Sequence, residues 1–362
     1  MKYLFINSVA GFGSTGRIVA DKCRELMAEG HQCLIAYGRD KVNCDDIPTV
    51  YIGSPLNVKI HGVMSRIFDN HGFYSKTATK RFLEQVREYD PDVIWLHNIH
   101  GYYLHIGLLF DYLRSCGKKI YWTLHDCWAF TGHCAYFDFV GCDRWKTGCH
   151  DCPQKKSYPS SLVFDNSTRN FAAKKALFTG IPNLTLITPS QWLADLVGIS
   201  ILKEYPVEVV HNRINTDVFK PTYGSFRCDH GIEDKVMLLG VASVWEERKG
   251  LQDFVRLSSM LDDRYVIVLV GITPEQAQSM PKNIICIPRT NSASGLAEIY
   301  TTADVFVNPT YEDNYPTVNL EARACGTKIV SYDTGGCRET IGESDILVPK
   351  GSVEGLLNAV RS

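Results

Sequence analysis

No stretch of the chain stays apolar for the roughly 18 residues that a membrane-crossing helix needs, so no transmembrane helix is expected. Charge of one sign is not in excess either. The 38 Lys and Arg face 40 Asp and Glu, a formal charge of −2. That excludes a general nucleic-acid surface, which needs a basic excess. There is no Gly-Lys-Ser/Thr, which excludes a P-loop. No internal repeat or low-complexity segment interrupts the chain. No secretion leader is expected either. Met1-Lys2-Tyr3-Leu4-Phe5-Ile6-Asn7 turns polar too soon for one and reads as a first buried strand. Thirteen cysteines without a leader imply a reducing, cytoplasmic setting, with thiols or metal ligation rather than disulfides.

What is present suits a two-domain α/β protein. A chain of 362 residues is long for one domain. Its 45% hydrophobic and 22% charged content is that of an ordinary globular protein. Short apolar runs alternate with helix-like segments, which argues for parallel sheets of βαβ units. In the first half the spacing predicts strands over Tyr3–Asn7, Cys33–Tyr37, Val93–His97, Ile120–Leu124 and Leu184–Ile187. In the second half it predicts Val236–Val241, Val266–Val270, Ile284–Ile287, Val305–Asn308, Lys328–Ser331 and Ile346–Val348. Helices are expected over Gly16–Ala28, Lys76–Tyr89, Gln191–Val197 and Gly250–Leu261.

The segment from Asp304 to Gly336 carries the most chemistry. Val305–Asn308 leads into a polar loop, Tyr311–Tyr315, and Pro316 sits where a helix can begin. Gly326 can end that helix, and a second β-type run follows. A helix N-terminus facing a loop beyond a strand is an anion site. Glu312 and Asp313 in the loop and Glu321 inside the helix could grip hydroxyls nearby. Phosphates and hydroxyls together suit a nucleotide sugar.

These residues resemble the acid-x7-Glu signature of glycosyltransferase family 4, the retaining enzymes of GT-B fold. The usual form is Glu-x7-Glu followed by Ala-x-Ala-x-Gly. Here Asp313 stands eight positions before Glu321, Glu312 is one position too early, and Ala322, Ala324 and Gly326 complete the pattern. The block Asp313-Asn314-Tyr315-Pro316 looks like a branch found in capsular and exopolysaccharide gene clusters. The resemblance implies GT-B architecture: two Rossmann-like, doubly wound domains facing across a cleft. It implies an acceptor domain over residues 1–205, with a cysteine-rich insert at 127–160. A hinge over 206–222 and a donor domain over 223–362 follow. At the hinge the family has Asn-Gly-(Val/Ile)-Asp; this chain has Asn212-Arg213-Ile214-Asn215. In the family a C-terminal helix crosses back onto the first domain. Only its beginning is expected here, whether the chain is truncated or this member is short.

Other segments add candidates. Gly11-Phe12-Gly13-Ser14-Thr15-Gly16 follows the first strand and permits a tight turn. It is a poor dinucleotide fingerprint, since no acid closes the second strand. The resemblance puts Gly13 at the donor phosphate. His125 and Asp126 follow a buried strand, where ligands of open α/β sheets bind. His125 could contact a sugar hydroxyl, with Asp126 orienting its ring, or simply pack on Trp128. Arg248 and Lys249 sit before a helix start, where the dipole disfavours cations unless an anion is to be bound. The family's usual Arg, five residues before the Lys, is Val244 here. Gly335 and Gly336 match the family's Gly-Gly-x-x-Glu, with Glu339 supporting the loop. Cys134, Cys142, Cys149 and Cys152 have spacing that suits a structural zinc. A redox pair or plain core thiols are the alternatives.

The expected protein is a retaining glycosyltransferase. It would move a sugar from a nucleoside-diphosphate sugar to a saccharide or lipid-linked acceptor in cell-surface polysaccharide synthesis. His125, Asp313, Arg248 and Lys249 are its candidate catalytic residues. Gly13, Arg248, Lys249, Asn314, Tyr315, Pro316, Thr317, Glu321, Gly335 and Gly336 are the candidate donor contacts. The resemblance implies that the leaving donor phosphate, rather than a side chain, takes the acceptor proton. No catalytic metal or cofactor is expected, and no nucleic-acid partner. The inner face of the membrane, with peripheral association, fits a lipid-linked acceptor. A GT-B sugar-nucleotide epimerase and a non-catalytic nucleotide-sugar binder are the alternatives.

Overall fold

The computed structural model describes residues 1–362. It divides into two compact units, Met1–His211 and Asn212–Ser362.

Unit 1 holds a seven-stranded sheet. Its strands are β1 (Lys2–Ile6), β2 (Gln32–Tyr37), β3 (Thr49–Tyr51), β4 (Val93–Leu96), β5 (Lys119–Thr123), β6 (Leu184–Thr188) and β7 (Val207–Val209). They lie in the order β3-β2-β1-β4-β5-β6-β7, and every pairing is parallel. The helices are α1 (Gly13–Ala28), α2 (Pro55–Phe68), α3 (Lys76–Tyr89), α4 (Ile106–Ser115), α5 (Ser167–Phe178) and α6 (Gln191–Gly198). Strand side chains alternate between two buried faces. Leu4, Ile6, Ile94 and Leu96 enter one core, and Phe5, Cys33 and Ile35 enter another. Burial on both faces is what parallel strands require.

Unit 2 repeats the arrangement. Its strands are β8 (Val236–Val241), β9 (Tyr265–Val270), β10 (Ile284–Ile287), β11 (Val305–Asn308), β12 (Lys328–Asp333) and β13 (Ile346–Pro349). They form a parallel sheet ordered β10-β9-β8-β11-β12-β13, the doubly wound Rossmann order. Its helices are α7 (Phe226–His230), α8 (Leu251–Met260), α9 (Pro274–Ala277), α10 (Ala293–Thr302), α11 (Thr317–Ala324) and α12 (Val353–Arg361). Leu238 faces one core, and Met237 and Leu239 the other. The last helix, α12, packs on α8 and on β12 and β13 of its own sheet.

Three features add to the sequence reading. β3 and β7 are three-residue edge strands, too short to show a period. β7 pairs with β6, so residues 207–209 are part of the sheet, and the division between the units follows at 211/212. Asn215 makes a local turn, its side-chain oxygen accepting from the Asp217 N–H at 2.9 Å.

No group of three or more His, Cys, Asp or Glu side chains is arranged to hold an ion. The zinc expected at Cys134, Cys142, Cys149 and Cys152 therefore finds no support. The thiols have other partners. The Cys134 and Cys152 thiols neighbour each other, which raises the pKa of Cys134 and lowers that of Cys152, and Cys149 Sγ accepts the Gly132 N–H at 3.1 Å. An aromatic cluster supplies the core that a metal was expected to replace. The Phe137 and Trp145 rings lie 4.8 Å apart, and Phe130 lies 5.3 Å from Trp145.

Lys174 of α5 ties this insert to the sheet. Its buried Nζ donates to the carbonyls of Trp128 (2.7 Å) and Thr131 (3.1 Å). It also lies 3.5 Å from the centroid of the Trp128 ring. Burial pushes its pKa down to about 7. A neutral amine keeps two N–H groups, enough for both carbonyls.

The unfolded chain then binds a proton between pH 7 and 10.5 that the folded chain does not. Stability relative to Lys174→Met should therefore rise with pH across that window, by up to about 1.4 kcal/mol per unit. Below pH 7 the difference should be flat. Urea unfolding of both proteins over that pH range checks this. Parallel pH profiles would mean that Lys174 stays charged when buried.

Candidate active site

In unit 2 three loops leave the carboxyl ends of β8, β11 and β12. Parallel pairing puts those ends on one edge. The β8 loop carries Arg248 and Lys249 in a short 3-10 turn, Glu247–Lys249. The β11 loop carries Glu312 to Tyr315, and the β12 loop carries Gly335 and Gly336.

Hydrogen bonds join the three loops. The Tyr311 N–H donates to the Arg248 carbonyl at 2.7 Å, and Arg248 Nη1 donates to the Glu312 carbonyl at 3.2 Å. Arg248 Nε also holds Glu246 at 2.9 Å. Lys249 Nζ meets Asp313 Oδ2 at 2.5 Å, with both side chains about four-fifths covered. The Gly336 N–H donates to the Asp313 carbonyl at 3.0 Å. Gly335 has φ +53, and a Cβ there would lie 2.0 Å from the Asp313 carbonyl oxygen. Only glycine lets the two loops approach this closely.

The acids have different surroundings. Glu312 is fully buried, whereas Asp313 reaches Lys249 and keeps some exposure. Glu321 lies inside α11, where its Oε2 accepts from Tyr300 Oη at 3.1 Å. Asn314 and Tyr315 are mostly buried beside the loop. Pro316 is the cap residue of α11, which starts at Thr317 and has no side-chain cap. An uncapped N-terminus leaves backbone N–H groups for an anion. Behind it, Asn319 accepts from Asn308 at 2.9 Å and donates to Thr340 Oγ1 at 2.8 Å, fixing the helix. Val244, at the position of the family's usual Arg, is 60% exposed.

In unit 1 the loops after β1, β4 and β5 meet in the same way. Asn7 Oδ1 accepts the Asn98 N–H at 3.2 Å. Gly13 begins α1 with φ +64, and no atom lies within 4 Å of where its Cβ would be. His125 Nε2 lies 3.0 Å from His97 Nδ1. That contact needs one ring to donate and the other to accept. The Asp126 carboxylate acts on His125 through its charge. Its hydrogen bonds go to His100 Nε2 (3.0 Å) and the Trp128 N–H (2.9 Å). His100 in turn meets the Tyr158 hydroxyl at 3.0 Å. Sequence reasoning missed His97 and His100. The signal was there, since His97-Asn98-Ile99-His100 follows β4 as His125-Asp126 follows β5.

Comparison with known proteins follows this geometry. Residues 15–218 match the family model described as Glycosyltransferase Family 4. The chain belongs to that family. Residues 235–362 match a second model, described as Glycosyl transferases group 1. The chain is thus a glycosyltransferase with the GT-B pair of Rossmann-like units. It is 25% identical over 368 residues to WcaC of Escherichia coli K12, named for colanic acid biosynthesis. That match covers 95% of this chain and 86% of WcaC. A shorter match, 30% identical over 149 residues, is an N-acetylgalactosaminyltransferase of Campylobacter jejuni acting on a diphospho-undecaprenol saccharide. It covers 40% of this chain and 37% of the relative. Among solved structures, sucrose-phosphate synthase of Thermosynechococcus elongatus superposes with a TM-score of 0.73 at 16% identity. That superposition covers 99% of this chain and 88% of the other. Anabaena HepE, solved with UDP, gives a TM-score of 0.68 at 12% identity, covering 100% and 89%.

The buried imidazoles give this glycosyltransferase an acid weakness. Burial lowers the pKa of His125 from 6.5 to about 4 and that of His61 to about 3. Between pH 6.5 and about 4 the unfolded chain binds protons that these folded rings refuse. Stability therefore falls as pH drops through the window and is insensitive to these rings above it. His125→Gln should flatten the acid slope by up to about 1.4 kcal/mol per pH unit. Urea midpoints at several pH values test this, and equal slopes for the two proteins would contradict it.

Proposed function

We propose that this enzyme is a retaining glycosyltransferase of cell-surface polysaccharide synthesis. It moves a sugar from a nucleoside-diphosphate sugar to a saccharide or lipid-linked acceptor. The reading has it work in the cytoplasm, at the inner face of the membrane. One observation carries it: Lys249, Asp313 and the uncapped N-terminus of α11 belong to loops joined by direct hydrogen bonds. A cation, a carboxylate and free backbone donors suit a diphosphate joined to a sugar. The relatives named for polysaccharide and lipid-linked transfer support the choice of acceptor.

In this mechanism the bond from the anomeric carbon to the diphosphate oxygen breaks, and the departing charge needs stabilisation. Lys249 and the α11 amides supply it. Arg248 contributes charge and, through Glu246 and the Glu312 carbonyl, holds the loop. The acceptor oxygen bonds to the anomeric carbon on the face the phosphate leaves, and its proton passes to the leaving phosphate oxygen. Asp313 accepts hydrogen bonds from the sugar hydroxyls. Glu321, oriented by Tyr300, accepts from the ribose. Within unit 2, Asn314, Tyr315, Thr317, Gly335 and Gly336 shape the donor pocket, while Gly13 of unit 1 leaves open space at the start of α1 for a phosphate. His125, held by His97, contacts a sugar hydroxyl.

The Lys249–Asp313 pair makes the test sharper. Asp313→Asn removes the internal partner of Lys249 and leaves its charge for the phosphates. Turnover should fall strongly while nucleoside-diphosphate affinity holds or rises. Lys249→Ala should weaken that affinity by roughly 1.5–3 kcal/mol. Glu321→Gln should weaken it as well. Calorimetric titration with UDP and GDP, alongside donor hydrolysis assays, measures both. If all three variants bound and turned over like wild type but melted earlier, the acids and the lysine would be structural.

A further inference from the structure

The outermost face of α2 is apolar, which is the reverse of what water selects. Leu56 (66%), Ile60 (54%) and Val63 (54%) are more than half exposed, and Ile67 is also open. At about 100° per residue these four fall within roughly 60° of arc. The buried residues of the helix, His61, Gly62 and Ser65, lie on the opposite side. A surface helix normally points its apolar stripe at the core.

A second exposed segment extends this stripe. The Leu162 N–H donates to the Arg66 carbonyl at 2.7 Å, and the Phe164 N–H to the Ile67 carbonyl at 3.1 Å. The Phe68 and Phe164 rings stack 5.7 Å apart. Leu162, Val163 and Phe164 are each at least half exposed. The result is one continuous apolar surface, of a kind that marks an interaction site.

Charge decides what covers it. Residues 52–68 hold Lys59 and Arg66 and no acid. Residues 154–164 hold Lys155 and Lys156 and no acid. The nearest following acid, Asp165, is occupied by the N–H groups of Cys152 and Ser167. The chain as a whole is slightly acidic. Four cations at the edge of an apolar face oppose a second copy, because an isologous contact would bring like charges together. They suit anionic headgroups above acyl chains.

We propose that α2 and residues 162–164 form a docking surface for an anionic lipid bilayer, with the apolar stripe in the headgroup boundary and the cations on lipid phosphates. The inner side of α2 leads back to the acceptor-side histidines. His61 Nε2 accepts the Gly72 N–H at 3.3 Å, and His71 Nε2 accepts the Gly101 N–H at 3.0 Å, beside His100. Docking would hold these histidines near the membrane surface, where a lipid-linked acceptor resides. That benefit rests on the acceptor reading given above, but binding to vesicles does not depend on it.

Sedimentation with vesicles of equimolar phosphatidylglycerol and phosphatidylcholine tests the surface without donor or acceptor. The wild-type chain should co-sediment, and more weakly with phosphatidylcholine alone. Ile60→Ser/Val63→Ser should bind about tenfold or more weakly, since two apolar anchors are lost. Lys59→Glu/Lys156→Glu should bind weakly and lose the dependence on salt and on phosphatidylglycerol. All four positions are exposed, so melting temperatures should match wild type. Should one pair misfold, the other still reports. Wild type left in the supernatant, or both pairs binding as wild type does, would overturn the proposal. So would a wild-type dimer in solution that Ile60→Ser/Val63→Ser converts to monomer without changing sedimentation. Transfer to a water-soluble acceptor assays the catalytic reading separately. Transfer that persists while vesicle binding fails removes only the docking surface.

Discussion

Parallel strand pairing is the constraint on which the rest of this molecule depends. Every pairing in both sheets is parallel. Parallel strands need a crossover between each pair, so all carboxyl ends share one edge. The loops bearing Lys249, Asp313 and Gly335 therefore converge although 86 residues separate the first from the last. The loops bearing His97 and His125 converge for the same reason. Burial on both sheet faces leaves these loop edges as the place where polar side chains can gather without loss of core.

Both units pair their buried and half-buried polar groups across loops. In unit 2 full charges pair, as with Lys249 and Asp313, or a buried amide network forms, as with Asn308, Asn319 and Thr340. Unit 1 adds bases that burial favours in the neutral state, His61, His71, His97 and Lys174, beside carboxylate–histidine pairs at Asp126–His100 and Asp69–His133. Neutral rings can pass hydrogen bonds to one another without the desolvation penalty of an ion.

Within unit 1, α2 connects two environments. Its inner side carries His61, which supports the turn at Gly72, and its outer side carries the exposed aliphatic stripe. Apart from Val58, which packs on the core, its large aliphatic side chains add little packing stability. It is held instead by its Ser54 cap, by Pro55 in the first turn, and by backbone bonds to residues 162 and 164.

Much of the architecture could be read before any coordinates. The strands at 236–241, 284–287 and 305–308 have the bounds expected from their apolar runs. Local composition suffices there, because a strand buried on both faces must be apolar throughout. The edge strands β3 and β7 were invisible, since three residues carry no period. The α2 helix was missed because its apolar side chains do not mark the core. The family and the candidate loops followed from linear order: a glycine pair, an acid before Glu321, and a histidine at a strand end. Which groups touch did not. That Lys249 pairs with Asp313, that Asp126 turns to His100, and that His97 holds His125 are long-range contacts that only tertiary structure decides. The cysteine spacing suited zinc, yet the aromatic cluster of Phe130, Phe137 and Trp145 and the contacts of the thiols took that role. Sequence determines what each segment can bury. Partner choice among buried and half-buried polar groups depends on distances of a few ångströms, which arise only when the sheets bring the loops together.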